Sequence, residues 1–513
     1  MTEQDPSNTT EQITNILPDS GTDQQASRPK VKTPYILPNV TIGPMVAEGK
    51  CIVKHDGLVI FVEGAVPGDQ ADVRIYKQKK SFAEGALFEL LSPSPERVQP
   101  HCEHFGVCGG CKWQHMSYHA QLTAKQQQVI DALERIGNLS NLPTISPILG
   151  APATTYYRNK LEFSASNKKW LTKNEVEHRK AAKAEALANA EVGDAPLTWP
   201  EDQVLGFHAP GVFDKVLDIN HCHHMPDPAN AIRLAIKQYA LDHNWAFGDL
   251  RKHTGLLRSV MLRSTNLGQW MVVVQFYYQD DTAIDGLFGL LKAQFPMLTS
   301  IQYVINNKHN DTIYDLEVVC WDGLPYIIEE MEGLQFRIGA KSFFQTNSAQ
   351  ALALYQITRK MAGLTGKEVV YDLYTGTGTI AQFVAKQARK VIGIESVEMA
   401  VEDARVNAAH NGLENCTFFA GDMRHVFTDA FVATHGQPDV VITDPPRAGM
   451  HADVVAVLAR LKPKVIVYVS CNPATQARDL ALLQDLYTVT DVQPVDMFPH
   501  TIHVENVVRL VLK

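Results

Sequence analysis

Apolar and polar positions follow different rules in different stretches of the chain. Residues 1–34 are rich in Thr, Ser, Gln, Asn, Asp and Pro and hold few apolar side chains. Such a stretch cannot bury enough surface to order itself, which predicts a disordered tail. Over 35–95 the pattern becomes short β-type runs broken by Gly, such as Leu58-Val59-Ile60-Phe61-Val62 and Ala71-Asp72-Val73-Arg74-Ile75. Several short strands with Gly turns predict a small barrel. A helix is expected over 118–136. Residues 156–164 and about 205–330 read as mixed α+β, with 256–262, 270–277 and 313–319 as the clearest strands, so 96–338 forms a central domain. Within it 167–203 reads as an insertion, and the Ala-, Glu- and Lys-rich run 175–191 favours a helix. From 339 to 513 the apolar runs 369–373, 391–394, 440–443 and 465–469 alternate with helical segments. That is the doubly wound α/β pattern.

Composition adds little to this picture. The 513 residues suffice for two to four domains. Hydrophobic residues make 45% and charged residues 20% of the chain, which is ordinary for a globular protein. The longest apolar runs are strand-sized, far short of the roughly 20 residues that cross a bilayer. The N-terminus has no basic start followed by an apolar core. A cytoplasmic protein, with no membrane partner, is expected. The formal net charge of −9 weighs mildly against a nucleic-acid partner. Part of the excess is local, since five acids precede the first basic residue, Arg28. In the expected barrel, Arg74, Lys77, Lys79 and Lys80 lie beside Tyr76 and Phe82, a mixture that suits single-stranded nucleic acid or a solvated loop.

Candidate chemistry gathers at the ends of the C-terminal strands. Asp372-Leu373-Tyr374-Thr375-Gly376-Thr377-Gly378-Thr379 ends a strand and opens a helix, and its glycines let backbone pass close to a ligand. Sixteen residues past Thr379, Glu395 ends the next strand, where an acid can accept hydrogen bonds from ribose hydroxyls. Gly376, Gly378 and Ala381 also fit the dinucleotide fingerprint, so S-adenosylmethionine and a nicotinamide or flavin cofactor both remain open at this point. Two further strands run into Asp444-Pro445-Pro446-Arg447 and Ser470-Cys471-Asn472-Pro473-Ala474-Thr475. A doubly wound sheet binds ligands at its carboxyl edge, so Asp444 and Cys471 are expected on the rim with the glycines.

A redox enzyme has no need of a cysteine there. A methyltransferase acting on an unreactive ring carbon does. A thiolate added to carbon 6 of uracil makes carbon 5 nucleophilic; carbon 5 takes the methyl group, a base removes its proton, and the thiolate leaves. Asn472 as N-cap and Pro473 as first helical residue would set Cys471 at a helix N-terminus, which favours a thiolate. Among Asp496, His500, His503 and Glu505, the last lies between valines, where desolvation would raise its pKa toward a base's range.

These residues resemble the RNA uracil-5 methyltransferase family. Ser342-Phe343-Phe344-Gln345-Thr346-Asn347, Asp372-Leu373-Tyr374 with its glycines, Asp444-Pro445-Pro446-Arg447, Ser470 to Thr475 and His503-Val504-Glu505 carry the likeness. The resemblance implies Cys471 as nucleophile, Glu505 as proton acceptor, and Gln345, Tyr374, Glu395 and Asp444 as S-adenosylmethionine contacts. Thr379 and Asp422 align with further cofactor positions but differ in side chain from some members. Thr375 stands where many members have Cys. Residues 35–95 resemble the TRAM domain, an OB-like RNA-binding barrel. Cys102, Cys108 and Cys111, with distant Cys222, are similar to the 4Fe-4S ligands of the 23S ribosomal RNA branch. By residue chemistry alone, four cysteines near His221, His223 and His224 suit zinc as well. The resemblance implies 23S ribosomal RNA as partner and a monomer with no obligate protein partner. A tRNA uracil-5 methyltransferase and a non-catalytic iron–sulphur RNA-binding protein are the alternatives.

Overall fold

The computed structural model describes residues 34–189 and 199–513. The expected tail, apart from Pro34, and residues 190–198 of the expected insertion lie outside the described residues. Among the described residues no helix is long and apolar enough to cross a membrane.

The chain divides into two compact units, one within Met1–Pro44 and Lys50–Ser94, the other Met45–Gly49 with Pro95–Lys513. The first holds five strands: β1 (Tyr35–Thr41), β2 (Cys51–His55), β3 (Leu58–Glu63), β4 (Gln70–Gln78) and β5 (Phe82–Ser92). Their order is β1-β4-β5-β3-β2, antiparallel except for the parallel pair β3–β5. Hydrogen bonds from Gly43 N to the Ile52 carbonyl (2.9 Å) and from Ile52 N to the Pro44 carbonyl (3.0 Å) join the chain beyond β1 to β2, so the sheet closes on itself. In β4, Ala71, Val73 and Ile75 point inward and Arg74 outward, the period of two that the sequence showed. Gly85 has a structural task here: a Cβ would lie 2.9 Å from the Arg74 carbonyl across the sheet.

The second unit contains two seven-stranded sheets. The first comprises β6 (Lys160–Ser166), β7 (Val204–His208), β8 (Val216–Asp218), β9 (Leu257–Ser264), β10 (Trp270–Phe276), β11 (Leu298–Ile305) and β12 (Val319–Gly323), in the order β12-β11-β10-β9-β6-β7-β8. Both faces are covered, which is why 270–274 reads as an unbroken apolar run. Val272, Val274 and Phe276 pack with two helices, Ala229–Asp242 and Asp281–Gln294. Met271 and Val273 face the opposite way, onto the hairpin β13 (Tyr326–Met331) and β14 (Leu334–Gly339) and the C-terminal sheet. One hydrophobic core therefore runs through the central and C-terminal segments. The strand expected at 313–319 does not form. Leu316 N bonds the Ile313 carbonyl in a turn, and Ile313, Leu316 and Val318 lean on the core from outside regular structure. Apolar spacing alone could not separate that turn from a strand.

The C-terminal sheet comprises β15 (Val369–Leu373), β16 (Lys390–Glu395), β17 (Cys416–Ala420), β18 (Val440–Thr443), β19 (Val465–Ser470), β20 (Tyr487–Val495) and β21 (Glu505–Leu512). Its order is β17-β16-β15-β18-β19-β21-β20, with β21 antiparallel to both neighbours and the rest of the pairs from β17 to β19 parallel. Chain order reverses between β15 and β18. That is the switch point where such sheets bind ligands.

The helix expected over 118–136 is present, but its packing and that of the segment after it escaped the sequence pattern. The helix α1 (Tyr118–Asp131), continued by a π-helical turn through Ile136, packs Val129, Ala132 and Leu133 against Tyr468, Leu480 and the rest of one face of this sheet. The segment after it joins the sheet edge, with Ser146 N bonded to the Val492 carbonyl and Leu149 N to the Pro494 carbonyl. The expected helix in the insertion is present as Lys173–Asn189.

Candidate active site

The loop after β15 is shaped by one buried acid. Asp372 is fully buried; its Oδ2 accepts from the Thr375 hydroxyl (2.5 Å) and from Ala381 N (3.0 Å), while Oδ1 has no partner. Burial pushes the Asp372 carboxyl up to about 7. Tyr374 adopts a left-handed φ of 63°, Gly376 one of 55° and Gly378 one of 73°. The two glycines do different work. A Cβ on Gly378 would press on Ala404 and Phe418 at 2.9 Å, whereas one on Gly376 would meet nothing within 4 Å. Gly376 thus borders open space, as a cradle for a ligand requires. Its N–H donates to Glu395 Oε2 (3.0 Å), and the other Glu395 oxygen accepts from Ser396 N and Val397 N.

The other expected cofactor positions surround this loop. Gln345 lies between β14 and the helix Ser348–Ala362, its carbonyl held by Asn159 Nδ2 at 3.0 Å. Thr379 opens the helix Thr379–Ala385 and bonds the buried Tyr355 hydroxyl. Asp422 caps a short helix and pairs with Arg424 at 2.6 Å, which holds its carboxyl down to about 2. Asp444 follows β18, and burial, then Asp372, push its carboxyl up to about 7.

Cys471 follows β19. Asn472 caps the next helix, Pro473–Ala481, with its side chain accepting from Ala474 N at 3.1 Å and Pro473 in the first turn. The helix N-terminus expected from the sequence is present. Its pull toward a thiolate is opposed by the surroundings. Burial, Glu505 and Asp444 push the Cys471 thiol up to about 11, against the opposing Arg447 guanidinium. Desolvation and two acids outweigh one helix end. Glu505, the first residue of β21, is only 5% exposed, and burial followed by Asp444 holds its carboxyl well above the usual range. Cys471, Glu505, Asp444 and Asp372 thus meet at one carboxyl edge, as the topology required.

Arg447 acts on Cys471 and Glu505 alike, opposing the rise of both. Its carbonyl is fixed by Asn472 Nδ2 (3.0 Å) and the Thr475 hydroxyl (3.1 Å), and its guanidinium lies 3.3 Å from the His503 ring. The sequence showed Arg447 as part of a motif but gave it no role; the strand-end Asp372 was likewise passed over.

Cys102, Cys108, Cys111 and Cys222 line a single cavity of about 560 Å³ together with His221, His223, His224, His500, Thr501 and His503. Sequence-distant Cys222 is therefore brought to the other three. Among the described residues no three His, Cys, Asp or Glu side chains are placed to hold one metal ion. Cys111 Sγ instead contacts His224 Nε2 at 3.0 Å. In the barrel, Lys79 Nζ lies 5.3 Å and Lys77 Nζ 5.8 Å from the Phe82 ring centre, while Lys77 also pairs with Glu84.

Comparison with known proteins agrees with this geometry. The family model described as tRNA (Uracil-5-)-methyltransferase matches residues 326–513. A Porphyromonas gingivalis protein described as an uncharacterized RNA methyltransferase is 53% identical over 92% of this chain and 99% of its own. A Bacteroides thetaiotaomicron protein of the same description is 52% identical over 91% of this chain and 100% of its own. Among solved structures, the Pyrococcus abyssi tRNA (uracil-54, C5)-methyltransferase in complex with S-adenosyl-L-homocysteine superposes with a TM-score of 0.69 and 27% identity, covering 92% of this chain and 100% of that one. The fold is that of an S-adenosylmethionine-dependent methyltransferase acting on RNA. The chain belongs to the RNA uracil-5-methyltransferase family.

Proposed function

We propose that the protein methylates carbon 5 of a uridine in RNA through a covalent bond between Cys471 and carbon 6. The observation that carries this reading is the meeting of a rim cysteine with a buried carboxyl, Cys471 with Glu505, beside the open Gly376 loop. S-adenosylmethionine, when bound, supplies the methyl group and a positive sulfonium. Gln345, Tyr374, Thr379, Glu395, Asp422 and Asp444 are the residues we assign to hold it, with Glu395 placed for ribose hydroxyls. Cys471 and Glu505 each first lose their resting proton to solvent; the Cys471 sulfur then bonds carbon 6, with the electron pair passing onto the ring. Arg447 favours that thiolate. After carbon 5 has taken the methyl group, Glu505 accepts the carbon-5 proton, and the bond from sulfur to carbon 6 breaks to release the product. With the Cys471 thiol pushed up to about 11 and the Glu505 carboxyl raised, the rate should rise with pH from neutral toward 11.

Residues 35–95 are read as a TRAM-type RNA-binding barrel, for which the exposed Arg74, Lys79 and Lys80 are suited. We read Cys102, Cys108, Cys111 and Cys222 as ligands of a 4Fe-4S cluster. A cluster takes one thiolate per iron, so its ligands ring a cavity and need not converge on one point. The observation behind this reading is that the four cysteines, distant Cys222 included, line one cavity. No step of the reaction uses the cluster.

The RNA is assigned as 23S ribosomal RNA on the barrel and the cysteines together, with the protein acting as a cytoplasmic monomer. Transfer RNA is the second reading. It is favoured by the Pyrococcus abyssi tRNA enzyme, whose likeness extends over 92% of this chain and so well beyond the methyltransferase segment. The test is to incubate the protein and S-adenosylmethionine with 23S and transfer RNA transcripts and to measure 5-methyluridine by mass spectrometry. The RNA that gains it is the substrate. Cys471→Ala should give none with either, while still binding S-adenosylhomocysteine; a normal yield from that variant would end the covalent reading.

A further inference from the structure

Glu505 begins β21 and pairs with Val495, the last residue of β20. The loop that joins them, 496–504, therefore sets where the Glu505 end of the sheet lies. That loop is gripped from outside the C-terminal segment. Lys125 and Asp496 form an ion pair of 2.6 Å with both side chains at 0% exposure. Lys125 Nζ also donates to the Phe498 carbonyl at 3.0 Å, and the Tyr118 hydroxyl donates to the other Asp496 oxygen at 2.8 Å. Gln121 Oε1 accepts from His500 N at 2.9 Å, and the His500 carbonyl accepts from Lys112 N at 2.8 Å.

A buried ion pair is a poor source of stability, because desolvation offsets the attraction and an apolar pair often serves as well. What an apolar pair cannot supply is direction. The Lys125 ammonium ties the first residue of the loop to the third, and Tyr118 and Gln121, on the same face of α1 at helical spacing, hold the loop at two more points.

We propose that Lys125, with Tyr118 and Gln121, is a positioning residue that fixes loop 496–504 and thereby aims the Glu505 carboxyl at the carbon-5 proton. This rests on the reading of Glu505 as proton acceptor. It predicts a particular defect. Cys471 and the Gly376 loop lie outside 496–504, so cofactor binding and adduct formation proceed, slowed at most through the contact of Arg447 with His503, whereas proton removal slows most and the methylated covalent adduct persists.

The test uses the full chain as wild type, Glu505→Gln, Tyr118→Phe and the double variant Lys125→Met with Asp496→Asn. The double variant leaves no lone buried charge, and Tyr118→Phe is a milder probe should the double variant not fold. Each is mixed with S-adenosylmethionine and the 23S and transfer RNA transcripts, and the denaturation-resistant methylated adduct is quantified beside S-adenosylhomocysteine affinity and the melting midpoint. The expected result is unchanged affinity, adduct raised toward the Glu505→Gln level, and product release slowed about 10–100-fold, the scale of an ångström-sized misplacement. Adduct at the wild-type level in both variants, whatever their midpoints, would show the ion pair to be structural and overturn the proposal. Absence of adduct in Glu505→Gln itself would overturn the reading beneath it, and the proposal with it.

Discussion

Three acids crowd the rim at Asp372, Asp444 and Glu505, and each is held above its ordinary pKa chiefly by burial. A carboxyl raised on folding stabilises the fold fully below its unfolded pKa, and that contribution is lost as pH rises through the folded value. For Asp372 and Asp444 the window runs from the ordinary carboxyl range up to about 7. Asp444→Asn should therefore melt above the wild type at pH 8, with the gap narrowing by pH 5, and should lose methyl transfer. Melts at the two pH values check this; a gap that does not change with pH would contradict the assignment. At this scale the sequence was informative about identity and less so about state. Cys471, Glu505 and Asp444 could be placed together because strand ends in a doubly wound sheet share one edge. The protonation of Cys471 could not, because it depends on Glu505 and Asp444, which meet it only in three dimensions.

The loop between β15 and the following helix shows how one element serves both packing and binding. Gly393 on β16 lies against that loop, and a Cβ there would fall 2.5 Å from the Phe418 ring and 3.0 Å from the Thr375 methyl group. Gly393→Ala should cost about 1–3 kcal/mol by overpacking. Gly376→Ala meets no neighbour and should cost only about 1–2 kcal/mol for its left-handed φ, yet weaken S-adenosylhomocysteine binding by filling the cradle. Calorimetry of both variants tests the division; full binding by Gly376→Ala would place the cofactor elsewhere. The elements themselves were mostly legible. Expected strands at 58–62, 71–75, 369–373 and 440–443 lie within observed ones, because alternation at 71–75 reports one buried face and the short apolar runs at 369–373 and 440–443 report strands buried on both. The turn at 313–318 was not legible, since its three apolar residues rest on a core built by other segments.

Across the whole molecule, the central and C-terminal segments share a core, and α1 with the cysteine-rich stretch before it closes onto loop 496–504. Those contacts join residues more than 370 positions apart, such as Lys125 with Asp496, and no local pattern announces them. The cysteine cavity belongs to the same region. Protein purified without oxygen should contain iron and absorb broadly in the visible, and Cys108→Ser should lower both; zinc without colour would overturn the cluster. The covalent step is the centre of the account, and RNA carrying 5-fluorouridine tests it most directly. Fluorine at carbon 5 blocks proton removal, so with S-adenosylmethionine present the reaction should stall as a complex that survives a denaturing gel. The account predicts a methylated, fluorinated uracil on Cys471 by peptide mass spectrometry. Bound cofactor with no such complex on either RNA, or a complex mapped to another residue, would contradict it.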